Sequence, residues 1–160
     1  MLLLAAAQAE YLRATSPNGR FEAYTTANSP DGDGMKLFLR RARARETGSL
    51  LCQNERWIDA KWSPDSRFLA VIDHPDGHIA DVYVFGVTAA EAAAPPAAVL
   101  LYHTPNPLTY DVQWDVVGWD SKLREVILKQ EVRDQNAGTH GTHVLTTRIG
   151  ERPLKRDVLK

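Results

Sequence analysis

Ser63–Phe68 (SPDSRF) repeats Ser16–Phe21 (SPNGRF) at a distance of 47 residues. In both copies the proline restricts φ to the value needed at the second position of a β-turn, and Asn, Asp, Ser and Gly favour the positions that follow. The second copy leads into Phe68–Ile72 (FLAVI), an apolar run typical of a strand covered on both faces. Self-similarity at this period indicates a repeat architecture with one supersecondary unit per period.

The second unit shows the repeat most clearly. Its first two predicted strands lie on either side of the Ser-Pro turn, and the turn His74–His78 (HPDGH) separates the second strand from the third. Thr88–Ala94 has the spacing of a helix capping box but is equally compatible with an Ala-rich loop. The four predicted strands are Trp57–Trp62, Arg67–Ile72, Asp81–Phe85 and Ala98–Tyr102.

The first and third units follow the same order. In the third, Trp119–Lys122 takes the place of the Ser-Pro turn, and the last ten residues are expected to supply its fourth strand. The predicted strands are Tyr11–Thr15, Arg20–Thr25, Met35–Arg43 and Ser49–Gln53 in the first unit, and Asp111–Val117, Leu123–Val132 and Thr142–Ile149 in the third. The sequence therefore predicts an all-β domain over residues 10–160, made of three consecutive four-stranded antiparallel meanders (units about 10–56, 57–110 and 111–160).

Ser63–Val87 combines a Ser-Pro-Asp turn, an apolar strand, a Gly turn and the strand Val82–Phe85. This stretch resembles a TolB-type β-propeller repeat, a relative of the WD-repeat family, although the Trp-Asp dipeptide of WD repeats is replaced by Val84-Phe85. The resemblance implies blade-like units and a role as a binding platform. Closed propellers typically have four to eight blades, so three units imply an open arrangement or one completed by oligomerisation, for instance as a homodimer.

Bulk composition limits the classes of function. The chain has 160 residues, of which 44% are hydrophobic and 24% charged, as expected for one globular domain. Its net charge of −1 argues against nucleic acid as a partner. Residues 1–9 (MLLLAAAQA) match a truncated secretory signal with an A-x-A cleavage site, which predicts a periplasmic or secreted protein, or a cytoplasmic one if the segment is an ordinary strand. No other stretch has the length needed to span a membrane.

Histidine and aspartate concentrate in the loops that follow second strands and in the connections between units. In an up-and-down meander these segments share one end, opposite the Ser-Pro turns. Loops on a rigid scaffold commonly carry binding specificity, so we expect this end to bind a partner protein, with a small-ligand or metal-binding module as the alternative. The candidate partner-binding residues are His74, Asp76, His78, His103 and His140.

No catalytic, cofactor-binding or metal-binding residue is predicted. The sequence has no Gly-x-Ser-x-Gly elbow, Ser16 and Ser63 are turn residues, and Cys52 in an apolar run is expected to be a buried structural thiol. Asp31–Gly34 lacks the later ligands of a calcium loop. The sequence therefore predicts a protein that is not an enzyme.

Two further expectations concern side chains on strands. Arg41, Arg43 and Arg45 alternate and should share one strand face, either a solvated edge or a site for an anionic partner. The residues expected to be largely buried are Trp62, Phe68, Ala70, Ile72, Val82 and Val84.

Overall fold

A computed structural model describes residues 10–27, 34–54, 56–75, 78–88, 96–104, 111–120, 122, 124–134 and 138–150. All regular structure in these residues is strand. The eleven strands are β1 (Glu10–Thr15), β2 (Phe21–Ala27), β3 (Met35–Arg41), β4 (Ser49–Asn54), β5 (Trp57–Trp62), β6 (Phe68–His74), β7 (Asp81–Thr88), β8 (Ala97–His103), β9 (Asp111–Asp120), β10 (Glu125–Asp134) and β11 (Thr139–Arg148).

The strands form three antiparallel sheets in chain order, which confirms the predicted fold class. The first sheet has the order β1-β2-β3-β4, the second β5-β6-β7-β8 and the third β9-β10-β11. The expected fourth strand of the third unit falls in residues 151–160, outside the described residues. Of the predicted helix or loop at 88–94, only Thr88 is described, and it ends β7. The described ranges contain no helix long and apolar enough to cross a membrane.

The Ser-Pro turns are held by the serine hydroxyl. Ser63 Oγ accepts a hydrogen bond from the Phe68 amide at 2.9 Å and donates one to Asp65 Oδ1 at 2.7 Å. In the first unit Ser16 Oγ does the same with Phe21 at 3.0 Å and Asn18 at 2.9 Å. Each buried hydroxyl therefore joins the two strands across the turn, which explains why the motif repeats.

The third unit keeps the same connections without the Ser-Pro motif. Asp120 Oδ1 accepts the Lys122 amide at 3.0 Å, as Asp65 accepts the Arg67 amide in the second unit at 3.1 Å. Trp119 and Asp120 still belong to β9, so the turn begins later than the sequence predicted. In all three units an arginine carbonyl before the second strand accepts an amide proton from the end of the third: Arg20 from Ala42, Arg67 from Val87 and Arg124 from Ile149.

The second sheet contributes to two hydrophobic cores, one on each face. Leu69 and Val71 pack into a core shared with the first sheet, whereas Ala70 and Ile72 pack into a core shared with the third. The first core also contains Phe21, Ala23, Leu37, Leu39, Ile58, Phe85, Val87 and Leu100. The second also contains Phe68, Ala80, Val82, Val84, Val112, Trp114, Val116, Val126, Leu128 and Ile149. The three sheets are therefore stacked with the second in the middle.

Five of the six expected core residues are buried, with exposed fractions of 0–3%. Trp62 is only half-buried because it lies near the edge of the first core. Its ring stacks on Phe21 with centroids 6.2 Å apart, and its indole Nε1 donates to the Ala14 carbonyl at 2.9 Å. Trp62 thus joins the first strands of two neighbouring units.

The prediction that Arg41, Arg43 and Arg45 share one strand face is wrong. Strand β3 ends at Arg41, and Arg43 has φ of +65° in the turn toward β4. Arg43 and Arg45 both lie beyond the end of β3, so Arg41, Arg43 and Arg45 do not share one strand face. Arg13 and Arg40 both form ion pairs with Glu10 and Glu22 on this sheet, and the Arg40 guanidinium lies 2.7 Å from Glu22 and 3.0 Å from Glu10.

Truncation of Phe68 tests the packing between the second and third sheets. The ring is 3% exposed and stacks on Trp119 with centroids 6.3 Å apart. We expect Phe68→Ala to lower the free energy of unfolding by about 3–5 kcal/mol, as for other buried aromatic residues. Val117→Ala is the control, because Val117 is 52% exposed and should change stability by less than about 1 kcal/mol. Equal effects of the two substitutions in urea denaturation would contradict this packing.

Candidate binding site

A cleft of about 270 Å³ lies between the second and third sheets. We call the end where each second strand runs into the third the loop end, and the end with the Ser-Pro turns the turn end. The lining residues come mostly from the parts of β5, β6, β9 and β10 nearest the loop end. They are Asp59, Lys61, Ile72, His74, Ala80, Gln113, Trp114, Asp115, Lys129 and Glu131.

Charged side chains from different strands meet in this cleft. Lys61 Nζ lies 2.7 Å from Asp115 Oδ1 and donates to the Val116 carbonyl at 3.0 Å, which links β5 to β9. Lys129 and Glu131 form an ion pair on β10. The cleft therefore holds three carboxylates, with Asp59 as the third, and two ammonium groups.

His74 lies at the loop end of the cleft. Its Nε2 is 3.5 Å from Asp59 Oδ2, and its ring packs on Trp57 with centroids 4.6 Å apart. Burial lowers the pKa of His74, and the nearby Asp59 carboxylate opposes this shift only in part. The imidazole is therefore mostly neutral at neutral pH, which leaves the cleft with a net negative charge.

Trp114 also lines this cleft. The residue is 5% exposed, and its buried indole Nε1 has no hydrogen-bond partner within the part of the chain that the structure describes. A buried donor without an acceptor costs free energy.

The predicted partner-binding histidines do not converge on one site. His74 lines the cleft, and His78 Nδ1 lies 3.9 Å from Asp111 at the start of β9. His103 is between the first and second sheets, where its ring stacks on Tyr83 at 4.3 Å. His140 is exposed on the outer strand β11. Asp76 lies outside the described residues.

A second group of titratable side chains lies between the first and second sheets at the loop end. Asp73 and Asp81 face each other across β6 and β7, and Tyr83, His103 and Cys52 lie nearby. Burial, reinforced by the Asp81 charge, raises the pKa of Asp73 to about 7. Among the described residues, Asp73 Oδ1 and His103 Nε2 are buried without hydrogen-bond partners. Burial also lowers the pKa of His103. The imidazole is therefore mostly uncharged at neutral pH and does not supply a positive charge to Asp73 and Asp81.

Cys52, predicted to be buried, is half-buried against the core shared by the first and second sheets. Burial and the neighbouring Asp73 raise the pKa of its thiol to about 12, so the nucleophilic thiolate is scarcely populated at neutral pH. Within the described ranges, no three His, Cys, Asp or Glu side chains are placed to hold a metal ion together.

A second cavity, of about 320 Å³, lies at the turn end. Its polar groups are mainly the guanidinium groups of Arg67 and Arg124, and both lie over the Phe68 ring, 5.5 and 5.7 Å from its centroid. These arginines therefore take part in packing. The loop-end cleft, with its groups of both charges, is the better candidate site.

Sequence reasoning missed most of the cleft. Asp59 and Lys61 alternate along β5, and Lys129 and Glu131 alternate along β10. Charged residues at every second position of a strand share one face, and this alternation could have indicated a charged face on β5 and another on β10. The alternation does not show that these two faces, from different units, meet in one cleft.

Comparisons with known proteins give no family. No family model matches the chain, and no curated protein sequence matches it. Among solved structures, a candidate 6-phosphogluconolactonase from Bacteroides uniformis aligns with a TM-score of 0.45 and 12% identity, covering 92% of this chain and 43% of that one. Hsv2 from Kluyveromyces lactis aligns with a TM-score of 0.34 and 14% identity, covering 91% of this chain and 49% of that one. The chain thus spans less than half of either structure, and at these TM-scores neither similarity carries an argument.

The raised pKa of Asp73 predicts a stability that depends on pH. Between the unfolded value of about 4 and the folded value of about 7, the folded chain keeps a proton that the unfolded chain has lost. The free energy of unfolding should therefore fall as pH rises through this window. In the parent, the free energy of unfolding should fall between about pH 5 and pH 8, and Asp73→Asn should make this fall smaller by about 1–2 kcal/mol. Solvent screening of this partly exposed carboxyl keeps the effect below the full value expected for the pKa shift.

The measurement is urea denaturation of both proteins across that pH range. His74 and His103, with lowered pKa values, change stability in the opposite direction below about pH 6.5. Both proteins contain them, so the difference between the two curves isolates Asp73. Parallel curves for the parent and Asp73→Asn would show that this carboxyl is ionised in the folded chain.

Proposed function

We propose that this chain is a non-catalytic binding module, built of TolB-type propeller-like repeats and exported from the cytoplasm, that engages another protein through its loop end. The described part of the chain is an all-β stack of three antiparallel sheets. The observation that carries the proposal is the charged cleft between the second and third sheets.

The chemistry of the cleft favours a basic side chain in an extended peptide segment. Asp59, Asp115 and Glu131 outnumber Lys61 and Lys129, and the lowered pKa of His74 adds little positive charge. A lysine or arginine side chain of a partner would be attracted by this imbalance. The cleft volume of about 270 Å³ suits a single side chain.

The hydroxyl and thiol groups support a non-catalytic role. Ser16 and Ser63 are 3% and 0% exposed and hold their turns together. A nucleophile needs an accessible, activated oxygen or sulfur, and the high pKa of Cys52 opposes activation. Support for export comes from the signal-like sequence at residues 1–9.

The alternative is a small polar ligand or a metal ion at the loop end. The same cleft is large enough for a small molecule with a cationic group. Melting curves recorded with a series of divalent cations separate these cases, since a ligand that binds only the folded protein raises the melting temperature. A cation-dependent rise would favour the alternative.

Site-specific photocrosslinking in the native extract tests the proposal. A photoreactive residue at His78, which is exposed beside the cleft, should capture a defined protein. The same residue at Arg43, exposed in the turn after β3, should not. The Asp59→Asn, Glu131→Gln double variant should reduce capture at His78 by about tenfold or more, because it removes two of the three carboxylates.

The matched control is Glu46→Gln, which neutralises an exposed carboxylate on the turn-end side of β3. Its capture should equal that of the parent, and all variants should retain the parent's melting temperature within a few degrees. Capture at Arg43, or capture at His78 that survives the double substitution, would show that the partner binds elsewhere.

A further inference from the structure

The outer edge of the third sheet differs from those of the other two sheets. Strands β3 and β7 are each covered by an antiparallel outer neighbour, β4 and β8. Strand β11 is the third strand of its unit, because the Ile149 amide binds the Arg124 carbonyl just as Ala42 and Val87 bind theirs. Among the described residues, β11 pairs with β10 alone. The internal repeat therefore shows what belongs at this edge: an antiparallel strand.

The side chains of β11 also point to a covered edge. Thr142–Thr146 are five consecutive exposed residues, and Val144 and Leu145 are 66% and 42% exposed. Natural proteins protect free edges with lysine, inward charges, proline or short strands. Strand β11 is ten residues long, and residues 139–147 contain no Lys, Arg, Asp, Glu or Pro. An edge of this composition readily accepts another strand.

We propose that β11 pairs with β11 of a second copy of this chain, so that two third sheets form one continuous six-stranded sheet across a two-fold axis. This surface adjoins the loop-end cleft, because Val144 lies opposite Lys129 and Thr142 lies opposite Glu131 across β10 and β11. A two-fold axis makes a strand antiparallel to its own copy, which is the orientation that β4 and β8 have toward β3 and β7.

The sequence of β11 is compatible with itself in this orientation. With the axis at Val144, the two Val144 side chains are neighbours, and Thr142 lies opposite the partner's Thr146. Pairs of β-branched residues are favourable across antiparallel strands. The one fixed charge in the strand, Arg148, is near its end, and its Nε lies 3.8 Å from Glu125 of the same chain. No like-charged pair therefore falls at the centre of the interface, and the exposed Val144 and Leu145 side chains become covered.

Sedimentation equilibrium over a range of protein concentrations tests the proposal on the full chain. The parent should form a dimer. Val144→Lys should weaken the dimer by about tenfold or more, because the axis places two lysines side by side. Val117→Lys is the matched control: Val117 is 52% exposed on β9, at the opposite edge of the same sheet, and this variant should dimerise like the parent.

Two further readouts keep the test independent of any folding defect in Val144→Lys. Val144→Cys in a Cys52→Ser background should form a disulfide-linked dimer under oxidation, and Val117→Cys in that background should not. Alternate β11 amides should gain protection from hydrogen exchange as concentration rises. A chain that stays monomeric, a dimer unaffected by Val144→Lys, or β11 amides protected equally at all concentrations would each overturn the proposal; the last result would mean that another segment of the same chain covers the edge.

Discussion

The burial of the second sheet on both faces is the constraint on which the rest of the structure depends. Along β6, Leu69 and Val71 enter the core shared with the first sheet, while Ala70 and Ile72 enter the core shared with the third. A shift of one residue in the pairing of β6 would exchange these two sets and spoil both cores at once. The Ser63 hydroxyl, which binds the Phe68 amide at the first residue of β6, therefore fixes a register that matters to all three sheets.

The stacking that this register permits also brings charged side chains from the second and third sheets together at the loop end. Lys61 and Asp115 are far apart in the sequence, yet their charged groups are 2.7 Å apart because the second and third sheets are neighbours in the stack. The same arrangement brings His74 toward Trp114 around one cleft. Rigid strands carry these groups, so little conformational entropy remains to be lost when a ligand binds. This is the physical reason to look for function at the cleft.

The sequence predicted the elements well wherever local chemistry determines them. Trp57–Trp62 has the same bounds in the prediction and in the structure, because the turn that follows is defined by Pro64 and by the side chains of Ser63 and Asp65. Local rules failed at Arg43, which adopts positive φ although no glycine or turn motif marks the end of β3. They also could not show that His74 and His103 belong to different inter-sheet spaces, since strand alternation gives the face of a residue but not the sheet that it meets.

The stacking itself is tested most directly by two adjacent residues. Val71 and Ile72 are neighbours on β6 that point to opposite faces, with exposed fractions of 0% and 3%. Their replacement by alanine, one at a time, should lower the free energy of unfolding by about 2–5 kcal/mol for Ile72→Ala and by somewhat less for Val71→Ala, which removes fewer methyl groups. Substantial losses for both variants in urea denaturation are the result that the stacked arrangement requires. If either variant stays within about 0.5 kcal/mol of the parent, one face of the second sheet is uncovered and the account is wrong.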